Sequence, residues 1–379
     1  KMHYFIFADQ DTTLYEASSS LNAGLDEILE IRKDVSDTGT TVDVSRIAIQ
    51  FPLSYISSSI VSGLIPKPNT VSGSRYFLNL FDAKPTALAT SQSLYAYPLN
   101  RSWIEGDGRA DANPIITEGC SWTFPLGQND GTLWNTSVSA SGGTWHTGSG
   151  FEASQSFTKK SQDVRMEVTD IVDKWLKGTI SNNGFLVKRS GSIGNTVTSS
   201  DEGSTTRFGN FSFFSSDTHT KYPPTLEVVW DDATWNTGSL SALTSADLED
   251  LVVYMRGLRP EYKENSRAKF RLVGRPRFPT NTYATSAANL TIKYLPSGSS
   301  NGDGAFYSIR DAETEDVIVP FGSGSKISCD STGNYFNLDL TGYQPERYYT
   351  LNYKIVSGSG TADETRTFID EGFTFKVTL

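Results

Sequence analysis

Three carboxylates follow Trp103 within eight positions, and paired carboxylates are the groups that cleave glycosidic bonds. They are Glu105, Asp107 and Asp111. A glycosidase sets its two carboxyl groups on either side of the scissile bond, so the pairing is spatial and the sequence leaves it open. The Gly-Asp-Gly run at residues 106–108 is typical of a tight turn. We interpret the three carboxylates as a solvated acidic turn.

Metal chemistry needs ligand spacings that the chain does not contain. His3, His146 and His219 stand far apart and form no His-x-x-x-His or Cys/His pattern, so no zinc site is predicted. Oxygen-rich turns at residues 301–304 and 330–334 lack the spacing of an EF-hand loop, which leaves calcium open.

Nucleophilic and cofactor chemistry are equally poorly supported. Ser149 is flanked by two glycines and lies near His146, but no Gly-x-Ser-x-Gly elbow is formed. A phosphate-binding loop and a dinucleotide-binding motif are both missing from the sequence. We therefore predict a non-enzymatic protein with no catalytic, cofactor-binding or metal residues and no cofactor.

Four of the seven tryptophans lie between residues 103 and 145, each beside turn-forming residues. Indole faces stack on sugar rings, and Asn129 and Asp130 would orient the hydroxyls. Alternatively, the rings anchor long loops to the core or pack against another subunit, because a tryptophan buries a large area. We favour the core or subunit-interface interpretation over the sugar platform. The candidate glycan or interface aromatics are Trp103, Trp122, Trp134 and Trp145.

One stretch of the chain is densely basic and is opposed only by Glu261 and Glu264. Alternate residues of a strand share a face, so Lys269, Arg271 and Arg275 are expected to line up. Such a face would dock an acidic partner subunit, with a solvated strand face as the alternative. The candidate interface residues are Arg256, Arg259, Lys263, Arg267, Lys269, Arg271, Arg275 and Arg277.

Charge and cysteine content limit the classes of function. The 379-residue chain has a formal net charge of −10, and residues 1–230 and 231–379 are both net acidic. This acidity argues against nucleic acid and membrane partners. Cys120 and Cys329 are predicted to be reduced thiols, which fits assembly in a reducing cytoplasm. The opening residues predict no signal peptide, and no segment reaches transmembrane length.

Short apolar runs separated by Gly, Ser, Thr and Asn predict an all-β first domain, residues 1–230. One amphipathic helix is expected after Thr169 or Asp170, with Ile171, Val172, Trp175 and Leu176 on its apolar face and Gly178 ending it. The predicted strands are Glu27–Arg32, Arg46–Phe51, Arg75–Phe81, Ser93–Pro98, Asp163–Val168, Gly184–Lys188, Phe208–Phe214 and Thr225–Trp230.

Residues 231–240 are predicted to be a linker, and residues 241–379 a second domain. Its strand number is that of an immunoglobulin-like β-sandwich, although two small modules remain an alternative. The predicted strands are Asp250–Met255, Lys269–Val273, Leu290–Tyr294, Phe306–Arg310, Asp316–Phe321, Tyr335–Leu340, Tyr348–Ile355 and Phe373–Val377.

The first domain contains a series of short motifs in a fixed order, namely Ala8-Asp9-Gln-Asp11-Thr12, Asn22-Ala-Gly24, Arg46…Phe51, Trp103, Ser121-Trp122, Gly142-Gly143, Asp170–Trp175, Asn183-Gly184-Phe185 and Pro224–Val228. In these motifs it resembles the DNRLRE (disaggregatase-related) domains over nearly all of residues 4–230. That resemblance implies a carbohydrate-binding-module-like jelly-roll β-sandwich, and the chain departs from the pattern in its longer loops at 104–150.

The second domain contains a further set of motifs, namely Lys269–Leu272, Tyr294-Leu-Pro296, Tyr307–Asp311, Ile318–Phe321, Ser328–Phe336 and Pro345–Tyr349. In these motifs it is similar to the C-terminal part of virion proteins from tailed bacteriophages, over about 130 residues. The two resemblances together imply a structural part of a phage particle, at the neck or collar or as a tail accessory.

We therefore expect a virion structural protein of two β-sandwich domains, a jelly roll with one short helix and an immunoglobulin-like domain. Its expected partners are other virion proteins of the portal, neck, tail or capsid, with homo-oligomers in symmetric copies. A glycan-binding adhesin or receptor-binding module, with a surface glycan as partner, is the alternative. A polysaccharide-degrading enzyme ranks third.

Overall fold

The computed structural model describes residues 2–36, 42–70, 74–89, 91–135, 142–158, 163–190, 201–243, 250–278, 293–297, 304–356, 365–369 and 371–379. Within these ranges the chain is all-β, with two short helices among the strands. It divides into two compact units. The first unit comprises residues 5–228, and the second unit comprises residues 1–4 and 229–379.

The first unit is built on two sheets. Their strand orders are β1-β11-β5-β8 and β10-β3-β4-β9-β6-β7, and β2 also pairs with β4. The elements are β1 (Met2–Phe7), β2 (Gln10–Tyr15), β3 (Ile28–Val35), β4 (Val42–Gln50), α1 (Leu53–Val61), β5 (Arg75–Leu80), β6 (Gln92–Pro98), β7 (Ala153–Phe157), β8 (Val164–Glu167), α2 (Thr169–Leu176), β9 (Phe185–Lys188), β10 (Gly209–Phe214) and β11 (Thr225–Trp230). Both β1 and β11 contain a division point between the units.

The pairing of β4 with β9 determines which side chains share a face. Ile47 pairs with Val187 and Ile49 with Phe185 in antiparallel register, and all four are buried. The same register sets Arg46 opposite Lys188, on the other face of the sheet. Strands of a half-exposed sheet would show polar residues on that face. Here both faces of β4 and β9 are buried.

Helix α2 confirms the predicted helix, and Ile171, Val172 and Trp175 are buried as expected. Gly178 follows it with a φ of 68°, the left-handed conformation that commonly ends a helix. The predicted cap was wrong, because Val168 occupies the N-cap position and no side chain caps the helix. The hydroxyl of Thr169 instead accepts the backbone N–H of Tyr76 at 3.0 Å.

The expectation of a single helix was also wrong, because α1 was not predicted. Its sequence, Leu-Ser-Tyr-Ile-Ser-Ser-Ser-Ile-Val, contains four apolar residues besides Tyr55 and no acidic residue in its first turn. Serine weakens helix propensity, so the pattern resembles a loop. Burial of Ile56 and Ser59 against the rest of the unit decides the conformation.

The second unit contains two further sheets. Their strand orders are β12-β16-β15-β20-β19 with β13 also on β15, and β14-β23-β21-β17-β18 with β22 also on β21. The strands are β12 (Ser241–Ala242), β13 (Leu251–Arg256), β14 (Glu261–Lys263), β15 (Arg267–Pro276), β16 (Lys293–Tyr294), β17 (Gly304–Asp311), β18 (Val317–Val319), β19 (Ser328–Asp330), β20 (Gly333–Asp339), β21 (Tyr348–Val356), β22 (Thr365–Phe368) and β23 (Thr374–Thr378). An aromatic core joins Phe270, Tyr307, Phe336, Tyr353 and Phe375.

Residues 231–240, expected to be a linker, belong to the second unit. Trp235 forms a parallel bridge with Cys329, and the backbone N–H of Asn236 donates to the Cys329 carbonyl at 2.9 Å. The Thr234 hydroxyl lies 2.6 Å from that of Tyr335. These contacts fix the segment along β19.

Both cysteines are free and buried, Cys120 in the first unit and Cys329 in the second. Among the residues described above, no helix is both long and apolar enough to cross a membrane.

Candidate functional site

The four tryptophans between residues 103 and 145 are all buried in the first unit's own core, with at most 4% of each exposed. They pack with Leu14, Val44, Ala48, Leu99, Cys120 and Leu186. Burial of Trp103, Trp122, Trp134 and Trp145 agrees with the core alternative favoured from the sequence, and the rings offer little open face to a glycan or a neighbouring chain. The rings pack their loops against the face of β4 and β9 that carries Arg46 and Lys188.

Polar contacts fix the orientation of the rings. Trp103 Nε1 donates to the Asn183 carbonyl at 2.8 Å, and Trp134 Nε1 donates to the Ser121 carbonyl at 2.8 Å. Gly142, at a φ of 60°, lies against the Trp122 ring so closely that a Cβ there would come within 2.7 Å of it. Satisfied indole N–H groups allow these rings to be buried at little cost.

A buried charge cluster lies beneath the tryptophan loops, and sequence patterns did not reveal it. Arg46 donates to both carboxylate oxygens of Glu202, at 3.1 and 2.8 Å, and Lys188 Nζ lies 3.1 Å from Glu202. At most 1% of each side chain is exposed. The Arg46 guanidinium lies 4.8 Å from the Trp122 ring centroid, and Lys188 Nζ lies 5.1 Å from that of Trp145. We name Arg46, Lys188 and Glu202 the buried ionic cluster.

Burial opposes the charge on these cations. It lowers the pKa of Lys188 to about 8, although the neighbouring Glu202 carboxylate acts in the opposite direction. Nearby, Arg189 is fully buried and donates to the carbonyls of Phe208 and Gly209. Burial likewise lowers the Arg189 pKa, to about 10. The cations bind the segment that carries Glu202 to the strands.

A second cluster contains carboxylates from three segments, including Glu105 and Asp107 of the predicted acidic turn. Glu105 Oε1 accepts the backbone N–H of Asp11 at 2.7 Å, and Asp11 Oδ2 accepts that of Ser216 at 2.7 Å. Asp11 is fully buried, and its Oδ1 has no hydrogen-bond partner among the described residues. Burial and the neighbouring carboxylates, Asp217 among them, raise the pKa of both Asp11 and Glu105 to about 7.

These two carboxyls predict stability that falls as pH rises. Their folded pKa lies above their ordinary values of 3.8 and 4.5, so the stabilisation is complete below about pH 4 and is lost as pH rises through about 7. Asp11→Asn should flatten this slope and raise the unfolding free energy at pH 8 by roughly 2 kcal/mol. Urea unfolding at several pH values measures the slope of the unfolding free energy against pH. Asp130→Asn, at an exposed position, is the control, and a slope unchanged in Asp11→Asn would contradict the assignment.

The remaining candidates for chemistry lie apart from one another. His3 Nε2 lies 2.8 Å from the Gly324 carbonyl oxygen, His146 stacks on Phe151, and His219 lies in an exposed loop. Ser149 is exposed. No group of three or more His, Cys, Asp or Glu side chains is placed to hold a metal ion in the described ranges. Asp330, of the second oxygen-rich turn, pairs with two cations, whereas residues 301–303 of the first lie outside those ranges.

Five of the eight predicted basic residues share one outer sheet face, which we name the basic face: Arg256, Arg267, Lys269, Arg271 and Arg275. The register places Arg256 opposite Arg271, and Arg271 opposite Tyr335. Lys269 Nζ lies 3.7 Å from the Tyr335 ring centroid. The alignment of Lys269, Arg271 and Arg275 along β15 follows the predicted alternation.

Among the described residues, two carboxylates pair with cations of this face. Asp330 pairs with Lys269 at 2.9 Å and with Arg271 at 2.8 Å, and Asp232 lies 4.0 Å from Arg267. Arg256 is exposed. Arg259 and Lys263 lie in or next to β14 of the other sheet, and Arg277 follows β15, so these three are not brought onto the face.

In comparisons with known proteins, no family model matches the chain and no curated protein matches it.

Proposed function

We propose that this chain is a non-enzymatic structural component of a tailed-bacteriophage virion, at the neck or collar or as a tail accessory. It acts through protein–protein contacts. In this proposal the first unit is a jelly-roll β-sandwich and the second an immunoglobulin-like one. The observation that carries it is the basic face, where five cations meet two pairing carboxylates among the described residues, in a chain of net charge −10. Cations held on a rigid sheet suit recognition of an acidic partner surface.

The burial of the tryptophan loops also supports a structural role. Loops that would otherwise be mobile are fixed to the first unit by four indoles and by the buried ionic cluster. A particle component has to keep one shape so that every copy makes the same contacts. Together with the two sequence resemblances, this rigidity favours assembly over catalysis.

Quantitative mass spectrometry of purified particles, scaled to the major capsid protein, tests the proposal. We expect a fixed copy number that persists through a density gradient. That number would separate a ring or collar from a capsid-wide decoration. Absence of the chain from the particles would refute the virion proposal.

A glycan-binding adhesin is the second candidate, and one surface favours it. Tyr95 and Tyr97 lie half-buried on one face of β6 with nearly parallel rings, and the Tyr97 hydroxyl donates to exposed Glu152 at 2.8 Å. Partly open aromatic rings beside a carboxylate suit sugar recognition better than the buried tryptophans do. If the chain is absent from particles, glycan binding by this face becomes the leading proposal.

A further inference from the structure

Loops of the first unit expose three isoleucines in segments that are rich in acidic residues. Ile104 is 54% exposed, Ile115 is 53% exposed and Ile116 is 36% exposed. Asn22 ties the segments together: its side chain donates to the Glu105 carbonyl and its backbone N–H to that of Ile116. Six carboxylates of these loops act electrostatically on Glu105 or on one another, namely Asp9, Asp26, Glu27, Asp107, Asp111 and Asp217, and Glu118 follows Ile116 by two residues. We name these isoleucines and carboxylates the acidic face.

Within the described residues, carboxylates outnumber the cations that act on them at the acidic face. Four of its carboxyl groups and neighbours, Asp9, Asp26, Glu105 and Asp217, have a raised pKa, first because of burial and in three of them also because of nearby carboxylates. The positive charge of Arg109 acts in the opposite direction and lowers the pKa of Asp26 and Asp217. The fully buried Asp11 beside them has an unpartnered Oδ1 within the described residues.

The second unit carries the opposite combination of charge and apolar surface. Tyr254 shares the outer face of β13 with Arg256, and it lies opposite Val273. Phe278, just beyond β15, is 73% exposed. Exposed apolar side chains bordered by charge are typical of interaction sites. Each unit therefore exposes apolar side chains in segments that also carry charged ones, and the charges have opposite signs in the two units.

We propose that the acidic face of one copy binds the basic face of a second copy, so that the chain assembles head to tail. The inference rests on the proposed structural function and names the partner as this chain itself. Isoleucines of the acidic face would meet Tyr254 and Phe278, and Asp107 and Asp111 would meet Arg256 and Arg275. Opposite charges steer the two faces together and fix their register.

Two different faces make this contact heterologous. A heterologous contact forms a ring when its rotation closes and a filament when it does not. Both outcomes repeat the chain in equivalent positions, as a neck, collar or tail part requires. A contact between two identical faces would stop at a dimer and would bring like charges together.

Sedimentation velocity of two face variants tests the proposal. Asp107→Lys/Asp111→Lys alters the acidic face, and Arg256→Glu/Arg275→Glu alters the basic face. In about 50 mM salt the wild type should form species larger than a dimer, and about 500 mM salt should weaken the association at least tenfold. Each variant alone should be monomeric. Mixed one to one, they should assemble again, because the two intact faces bind each other and the reversed Lys and Glu faces are once more of opposite charge.

Lys177→Glu and Glu313→Lys, at positions that are 68% and 85% exposed, are the matched charge controls and should assemble as the wild type does. Thermal melting checks that every variant is folded, and Ile115→Ser with Phe278→Ser forms a second, uncharged pair. Variants that still assemble alone, or a mixture that stays monomeric, would overturn the inference. A monomeric wild type that is present in particles at fixed copy number would also overturn it and would leave the virion proposal standing.

Discussion

Glu202→Gln is expected to lower the free energy of unfolding by about 3–5 kcal/mol. Glutamine has nearly the same shape, so the substitution removes the charge and leaves the packing in place. Arg46 and Lys188 would then lose the carboxylate that neutralises them while remaining buried. Removing one member of a buried ion cluster costs far more than the net value of the cluster, because charges remain in a medium of low polarity.

Urea denaturation of the purified chain measures this loss, and Glu167→Gln is the matched control. Glu167 forms an ion pair with Arg75 at 2.9 Å, but the two side chains are 43% and 61% exposed. The control should therefore change stability by less than about 1 kcal/mol. Lys188→Met/Glu202→Gln should be less destabilised than the sum of the two single variants, because their effects are coupled. Equal effects of Glu202→Gln and Glu167→Gln would contradict the assignment.

Periodicity predicted most of the strands because their apolar residues alternate or run together. Thr225–Trp230 was predicted with the bounds of β11, and the predicted Arg75–Phe81 differs from β5 by one residue. Both segments combine β-branched or aromatic residues with turn residues outside them. Helix α2 was recognisable for a similar reason, since its apolar residues recur at helical spacing.

The periodicity of apolar residues could not predict β2 or α1. β2 (Gln10–Tyr15) is almost entirely buried although its sequence, Gln-Asp-Thr-Thr-Leu-Tyr, is mostly polar. Buried polar residues follow from tertiary contacts, such as the bond between Asp11 and Ser216, and these contacts join segments that are distant in sequence. No local pattern contains that information.

At the candidate site, too, features set by neighbouring residues were predicted, and features set by residues far apart in sequence were not. Alternation along β15 correctly predicted that Lys269, Arg271 and Arg275 share a face, because neighbours on one strand are enough to decide it. The pairing of Arg46 with Glu202 joins residues 156 positions apart, so it had no sequence signal beyond charge itself. The burial of the tryptophans depended on how the loops fold back over β4 and β9, which composition leaves open.

Trp122→Ala is expected to lower the free energy of unfolding by about 3–5 kcal/mol, and Trp122→Phe by less. The ring is 2% exposed, fills the space beside Gly142 and covers the guanidinium of Arg46. Alanine would leave a cavity beside the buried ionic cluster and would admit water to it. Phenylalanine would keep part of the apolar contact and of the cation–π interaction.

Chemical denaturation with Val61→Ala as the control distinguishes this core role from a surface role. Val61 is 88% exposed, so its truncation should change stability by about 0.5 kcal/mol or less. Trp122→Ala and Glu202→Gln should be non-additive when combined, because Trp122 covers the cation that Glu202 neutralises. If Trp122→Ala kept the stability of the wild type, the ring would not be part of the core. In that case, loss of assembly in Trp122→Ala would show that the ring contacts another copy of the chain. For a residue of the core, loss of assembly would first indicate a folding defect.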